Sequence, residues 1–206
     1  MEEILKYFPG LTEEQISQFK ALYDLYHEWN EKINVISRTD IDNLYVHHVL
    51  HSLAIAKEIR FRLDTKILDL GTGGGFPGIP LAIISPRCHF HMIDSIGKKV
   101  MVASNIAAAI GLKNCTFEHK RAQEEKGLFD FVVSRAVMPL EELIRISKKN
   151  ISTNQRNAIP NGLICLKGGD VNEEVKCVKK KAIVRDISEW FSEEWFSEKK
   201  LIYVPI

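Results

Sequence analysis

The sequence lacks the features that mark several large classes of protein. It contains no long hydrophobic run, since its most apolar stretches, near residues 81–84 and 106–112, are far too short to span a membrane. The first residues, MEEILKYFPGL, carry two acids where a signal peptide has positive charge. We therefore expect a cytoplasmic protein with no membrane partner.

Cysteine is scarce, and neither sign of charge is in excess. Twenty-eight Lys and Arg residues balance 27 Asp and Glu residues, which leaves a net charge of +1. A surface coated with basic charge is thereby excluded, so any contact with RNA has to be a local patch. The wide spacing of the cysteines, without a CxxC pair, predicts reduced residues of the core rather than zinc ligands or disulfides. These cysteines are Cys88, Cys115, Cys165 and Cys177.

Residues 1–62 are predicted to form an N-terminal helical extension. Thr12 and Gln15 form a capping-box pattern, and the apolar residues that follow recur at spacings of three and four. A second helix follows the polar break at residues 37–40. We expect these helices to pack on a core domain of residues 63–206.

From residue 66 onward, short apolar runs alternate with helical stretches. KILDLG, CHFHMID, CTFEH, FDFVVSR and GLICLKG indicate five strands, with helices near 78–84, 97–110, 139–149 and 170–181. This alternation predicts an α/β fold whose mostly parallel sheet carries helices on both faces. Ligands of such folds bind beyond the carboxyl ends of the strands. AIVRDI and KKLIYVPI could add an antiparallel pair at the edge of the sheet.

The stretch LDLGTGGGFPG, residues 68–78, follows a strand and opens a helix, as a nucleotide-binding glycine loop requires. We expect Asp69 to face the mouth of the loop, where it would repel a pyrophosphate but suit the ammonium group of S-adenosylmethionine (SAM). Asp94 ends the second strand and is placed to bind a ribose, which suits SAM and NAD equally. A helix cap is the alternative role for Asp94.

Seven segments stand out along the chain. They are NVISR (34–38), HHVLHS (47–52), LDLGTGGGFPGIPLAI (68–83), MIDSIGKKV (92–100), KRAQE (120–124), SRA (134–136) and LKGG (166–169). In order and spacing they resemble the bacterial ribosomal RNA small subunit methyltransferase G family, also called glucose-inhibited division protein B. The resemblance implies a Rossmann-like class I SAM-dependent methyltransferase fold. It also implies transfer of a methyl group from SAM to N7 of a guanine in 16S rRNA.

The resemblance also implies which residues form the cofactor site. Gly71 would contribute its backbone and Phe76 an apolar wall, while Ala122 and Gln123 would lie near the adenine. Gln123 stands where the family usually has Glu, so a charge is lost and an acceptor is kept. Arg135 would contact the cofactor or the target nucleotide, with an ion pair at the mouth of the sheet as the alternative.

The proposed chemistry requires few specialised side chains. Guanine N7 has a free lone pair and needs no proton removed before it attacks, so we assign no catalytic base. Arg135 is the residue that we place near the reaction. His47, His48 and His51 raise the possibility of a metal site, but no HExxH arrangement and no third ligand is evident. We therefore assign no metal and expect these histidines to pack between helices or to contact RNA.

Short clusters of basic residues are the candidate RNA contacts. The balanced charge favours the small ribosomal subunit over naked 16S rRNA as the substrate. We expect the protein to be a monomer. Two alternatives stay open, namely an NAD-dependent oxidoreductase and a SAM-binding ribosome-assembly protein without catalysis. The basic clusters are Lys98 and Lys99, Lys120 and Arg121, Lys148 and Lys149, and Lys179 to Lys181.

A binding test separates the methyltransferase from the oxidoreductase. SAM at 100 times its dissociation constant adds about 2.7 kcal/mol to the free energy of unfolding. For a domain of this size, that corresponds to a rise of roughly 5–10 °C in melting temperature, measured by differential scanning fluorimetry. NAD at the same concentration should leave the melting temperature unchanged. A shift with NAD and none with SAM would contradict the methyltransferase interpretation.

Overall fold

The structure, a computed structural model, describes residues 1–135, 138–176, 178 and 182–206. Cys177 and the lysine cluster at 179–181 lie outside the described residues. A π-helical segment, Leu44–Leu50, runs directly into the third α-helix. The elements are α1 (Glu2–Tyr7), α2 (Glu13–Lys32), α3 (His51–Glu58), β1 (Lys66–Leu70), α4 (Gly78–Ile84), β2 (His89–Asp94), α5 (Gly97–Ala109), β3 (Cys115–His119), β4 (Phe131–Arg135), α6 (Leu140–Ser147), β5 (Gly162–Gly168), α7 (Asn172–Val175), β6 (Ile183–Asp186) and β7 (Lys199–Pro205).

One seven-stranded sheet organises the chain, in the order β3-β2-β1-β4-β5-β7-β6. The first five strands are parallel, and β7 runs antiparallel to both β5 and β6. The predicted α/β fold and its five parallel strands are confirmed. The last two strands do form an antiparallel pair, but β7 lies inside the sheet and only β6 is at the edge. Strand order reverses between β1 and β4, where open α/β sheets bind their ligands.

Two hydrophobic clusters cover the two faces of the sheet. On β1, Ile67 belongs to one cluster, while Leu68 and Leu70 belong to the other, because successive side chains of a strand point to opposite faces. The N-terminal helices, α4 and α5 share the cluster of Ile67, and α6 lies on the other side. Helices therefore cover both faces, as predicted.

The N-terminal helices are built as their sequence indicates. The capping box is present, with Thr12 Oγ1 accepting from the Gln15 amide at 3.2 Å and the Gln15 side chain accepting from the Thr12 amide at 2.9 Å. Phe19 and Leu22 are fully buried in the cluster that includes Ile67. Asn30, a polar residue on the same helix, is buried with them.

The described cysteines are free thiols. Cys88 and Cys165 are buried and Cys115 is partly buried, as predicted for reduced residues of the core. Within the described ranges, no helix is both long enough and apolar enough to cross a membrane.

Asp69 fastens the glycine loop to the helix that follows it. Its Oδ2 accepts from the Thr72 hydroxyl at 2.6 Å and from the Gly78 amide at 2.8 Å. The side chain is completely buried, so the expectation that it faces the mouth of the loop is wrong. Asp69 shares the face of Ile67 and points beneath the loop, where burial raises its pKa to about 7.

This raised pKa predicts a pH dependence of stability. Between pH 4 and 7 the folded protein keeps a proton on Asp69 that the unfolded chain, with a pKa of about 4, has released. The contribution of Asp69 to the free energy of unfolding therefore falls as pH rises through this window. Asp69→Asn keeps one acceptor and cannot ionise, so its stability relative to the wild type should increase from pH 5 to pH 7.5 in urea unfolding.

Asp24→Asn serves as the control, because Asp24 is exposed on α2 and its removal changes the net charge equally. A stability difference between Asp69→Asn and the wild type that is the same at both pH values would contradict the assignment.

Candidate active site

A cavity of about 680 Å³ opens at the carboxyl ends of β1, β2 and β4. Its walls come from the glycine loop, from the turns after β2 and β3, and from the end of β4. The residues that the sequence indicated as a cofactor site all border this one space. They are Gly71, Phe76, Asp94, Ala122, Gln123 and Arg135.

The glycine loop forms one wall through its backbone. Gly71 has a φ of 74° and Gly75 a φ of 104°, in the left-handed region that residues with a Cβ rarely adopt. At Gly75 a Cβ would also lie 2.4 Å from Ile79 Cδ1, so a side chain there would displace Ile79. Gly71, Gly73 and Gly74 border the cavity, so this part of the loop presents main-chain atoms to it.

Asp94 links the end of β2 to the glycine loop. Its Oδ2 accepts from the Gly73 amide at 2.8 Å, and its Oδ1 accepts from the Ile96 amide at 2.8 Å. The following helix begins at Gly97 with Ile96 as its N-cap, so Asp94 does not cap it. Each carboxylate oxygen retains a second lone pair that can accept from a ligand hydroxyl.

A short 3-10 turn, Ala122–Glu124, borders the cavity after β3. The Gln123 carbonyl accepts from Lys149 Nζ at 2.5 Å, which ties this turn to the segment after α6. The backbone of Gln123 is thus held in place while its side chain is exposed.

The N-terminal helices contribute residues that the sequence interpretation missed. The Tyr26 hydroxyl donates to the Gly74 carbonyl at 2.7 Å, and its ring stacks on Phe76 with centroids 4.8 Å apart. Asn30 Oδ1 accepts from the Val35 amide at 2.8 Å, and Val35 lines the cavity beside the glycine loop. An asparagine on the apolar face of a helix is the signal that could have identified this contact.

Arg135 ends β4 at the cavity. Its guanidinium donates to the His47 carbonyl at 3.2 Å and to His48 Nδ1 at 3.0 Å, and Cζ lies 5.0 Å from the centre of the Phe76 ring. Across the described ranges, no carboxylate lies within ion-pair distance of Arg135, so the alternative of an ion pair at the sheet's mouth is not found. Burial lowers the pKa of Arg135 to about 10, which leaves it charged at neutral pH.

His48 is neutral and its tautomer follows from its neighbours. Burial and the charge of Arg135 lower the pKa of His48 to about 4. Because Nδ1 accepts from Arg135, the ring proton lies on Nε2, which faces Asp40 Oδ2 at 2.8 Å. Asp40 is a further residue that sequence reasoning missed.

His47 and His51 contact an aromatic residue near the C-terminal strands. The His47 ring stacks on Trp195 with centroids 4.2 Å apart, and His51 meets the same ring edge-on at 5.1 Å. Burial lowers the pKa of His51 well below its usual value. Both histidines thus pack against Trp195, which is one of the two roles expected for them.

The basic residues near the cavity differ in how they are engaged. Lys99, Lys120 and Arg121 border it. Lys120 is bound by two carboxylates, with Nζ 2.6 Å from Glu118 Oε2 and 3.0 Å from Glu125 Oε2. In the described part of the chain, no acceptor engages Lys99 Nζ or the Arg121 guanidinium.

Solved structures of methyltransferases resemble this fold. A SAM-dependent methyltransferase from Aquifex aeolicus has a TM-score of 0.56 and 16% identity, with 82% of this chain and 98% of that chain covered. A precorrin-6y C5,15-methyltransferase from Geobacter metallireducens has a TM-score of 0.55 and 12% identity, with 84% and 92% covered. At such low identity these likenesses concern the fold, and they confirm the predicted methyltransferase fold.

Sequence relatives are much closer. A ribosomal RNA small subunit methyltransferase G from Bacteroides thetaiotaomicron is 68% identical over 206 residues, covering 100% of both chains. A protein of the same name from Flavobacterium johnsoniae is 52% identical over 206 residues, covering 100% of this chain and 98% of that one. The sequence model of the family described as rRNA small subunit methyltransferase G matches residues 15–202. With matches that span nearly its whole length, this chain belongs to the rRNA small subunit methyltransferase G family.

Proposed function

We propose that this protein transfers a methyl group from SAM to N7 of a guanine in 16S rRNA of the small ribosomal subunit. The observation that carries the proposal is the single cavity bordered by the glycine loop, Asp94, the 122–123 turn and Arg135 in a member of this family. Membership of a methyltransferase family argues against the NAD-dependent oxidoreductase.

The lining of the cavity fits SAM, which supplies a methyl group on a positively charged sulfur. The free lone pairs of Asp94 suit the ribose hydroxyls, and the exposed backbone at Gly71 suits a close approach of the ligand. Phe76 would form an apolar wall, and the small Ala122 with the backbone of Gln123 would border the adenine. Asp69 lies beneath the loop, so we assign it no contact with the ligand.

The chemistry at N7 requires positioning rather than proton transfer. The guanine lone pair attacks directly, and alignment of the reacting atoms can supply roughly 7–11 kcal/mol of the barrier. Among the described residues that border the cavity, Asp94 is the one carboxylate and none is histidine, which is consistent with a reaction that needs no general base. Arg135 keeps three of its five N–H donors for the cofactor or the target nucleotide.

The charges around the cavity support an RNA substrate. Lys99, Arg121 and Arg135 border the cavity without an ion-pair partner among the described residues, and Asp94 is the one acid of its described lining, so the opening is locally positive although the whole chain is nearly neutral. Such a patch can bind RNA phosphates. Because the protein as a whole is nearly neutral, we expect a substrate whose folded shape adds to recognition, namely a structured ribonucleoprotein particle. We propose Lys99 and Arg121 as phosphate contacts and regard Lys120 as part of an ion-pair cluster.

The remaining features of the proposal concern organisation and location. We take residues 1–62 as a helical extension that completes the cavity of the 63–206 domain, as the contacts of Tyr26 and Val35 support. We propose that the protein acts as a monomer in the cytoplasm and requires no metal.

Methyl transfer to unmodified small ribosomal subunits tests the function. Labelled SAM should place one methyl group per particle, mapped by cleavage specific for N7-methylguanine, with less transfer to protein-free 16S rRNA. Arg135→Ala should lower the rate at least about 100-fold, as loss of a charged donor at a reaction centre does. Arg145→Ala, which removes an exposed arginine on α6, is the control.

Equal transfer by Arg135→Ala and the wild type would contradict the role of Arg135. If the wild type transfers no methyl group to the particle although SAM raises its melting temperature, the fold and the cofactor stand, and the substrate has to be sought elsewhere.

Asp94→Asn tests the ribose contact. The amide has one acceptor where the carboxylate has two, so SAM should bind about 10-fold more weakly in isothermal titration calorimetry. Glu13→Gln, which neutralises an exposed acid at the start of α2 outside the lining of the cavity, should leave the affinity unchanged. Unchanged affinity in Asp94→Asn would show that the carboxylate holds only the loop.

A further inference from the structure

Asp40 contacts two histidines with its two oxygens. Oδ1 lies 2.5 Å from His47 Nδ1, and Oδ2 lies 2.8 Å from His48 Nε2. The side chain of Asp40 is 31% exposed, whereas those of His47 and His48 are 17% and 12% exposed. The Asp40 carboxylate, the most exposed of the three groups, thus contacts both of the less exposed histidine rings.

The same two histidines provide both acceptors of Arg135. His48 accepts through Nδ1 and His47 through its main-chain carbonyl. We propose that Asp40 is a positioning residue for Arg135, which it holds toward the cavity by orienting His48 and the backbone of His47. This inference rests on the proposed function, in which Arg135 contacts the cofactor or the target nucleotide.

An imidazole between the carboxylate and the guanidinium serves a purpose that direct contact would not. A carboxylate bound directly to Arg135 would hold the guanidinium firmly but would neutralise its positive charge. A neutral imidazole accepts a hydrogen bond and leaves the positive charge available to an anionic group, either an RNA phosphate or the carboxylate of SAM. Asp40 is then required because a rotated His48 ring would turn a C–H or N–H toward Arg135.

The competing explanation is that Asp40 only stabilises its own turn, where Oδ1 also accepts from Asn43 Nδ2 at 3.4 Å. A purely structural role would change the melting temperature without changing the state of Arg135. The two explanations therefore differ in readouts that report on Arg135 itself.

Kinetic coupling is the first readout. Asp40→Ala should lower kcat/KM for methyl transfer to small subunits about 10- to 100-fold, the loss typical of removing an outer partner of a functional group. In an Arg135→Ala background, Asp40→Ala should lower kcat/KM by less than about twofold, because the effects of residues that act as one unit are not additive. If the loss of kcat/KM in the double variant equals the product of the two single losses, the proposal is overturned.

Nitrogen NMR of the arginine side chains is the second readout and needs no activity. In the wild type the hydrogen bonds of Arg135 should hinder its rotation and give separate ¹⁵Nη resonances, assigned by their absence in Arg135→Ala. In Asp40→Ala these resonances should merge. Unchanged Arg135 resonances in a folded Asp40→Ala protein would overturn the proposal.

Three further variants complete the test. Asp42→Ala removes an acid whose side chain is 81% exposed from the same segment and should leave both readouts unchanged; equal effects in Asp42→Ala would overturn the proposal. Asp40→Asn retains one acceptor for His48 and should keep most of the activity. Asp40→Leu keeps the size of the side chain without an acceptor, so it replaces Asp40→Ala in both tests if that variant does not fold. If the wild type transfers no methyl group, the proposed function fails, while the NMR result still decides the role of Asp40.

Discussion

The shape of the cavity depends on how the glycine loop is held. A loop with several left-handed glycines has many conformations open to it, and it stays in one because it is fixed from two sides. Beneath it, the buried Asp69 binds the Thr72 hydroxyl and the Gly78 amide; on the other side, the Tyr26 hydroxyl binds the Gly74 carbonyl. The N-terminal helices therefore help to hold the wall of the cavity and are also part of the core.

The second constraint concerns charge. Arg135 is almost enclosed by His47, His48 and Phe76, yet its acceptors are a carbonyl and a neutral ring. A buried cation without a carboxylate partner is costly unless hydrogen bonds and an aromatic face replace its hydration. The guanidinium of Arg135 is thus held at the edge of the cavity in an orientation that suits an anionic group of a ligand.

The sequence was informative wherever function depended on neighbouring residues in the chain. Strand–helix alternation predicted the parallel sheet, and the family segments led to residues that share one cavity. It was less informative about contacts between distant segments. Tyr26 and Asp40 meet the site only through tertiary packing, and no local pattern distinguishes them from ordinary helix and turn residues. The orientation of Asp69 differs from the prediction because the alternation of faces along β1 places its side chain on the face of Ile67, beneath the loop.

The position of β7 within the sheet has a consequence for how the protein folds. Among the described strands, β5 and β6 do not pair with each other, and both pair with β7. Strand β6 therefore has no partner until residues 199–205 have been synthesised and have paired with β5. The strands that border the cavity, β1, β2 and β4, pair among themselves without that insertion. During synthesis the half of the sheet that borders the cavity can therefore assemble first, and the other half is completed as a late, long-range event.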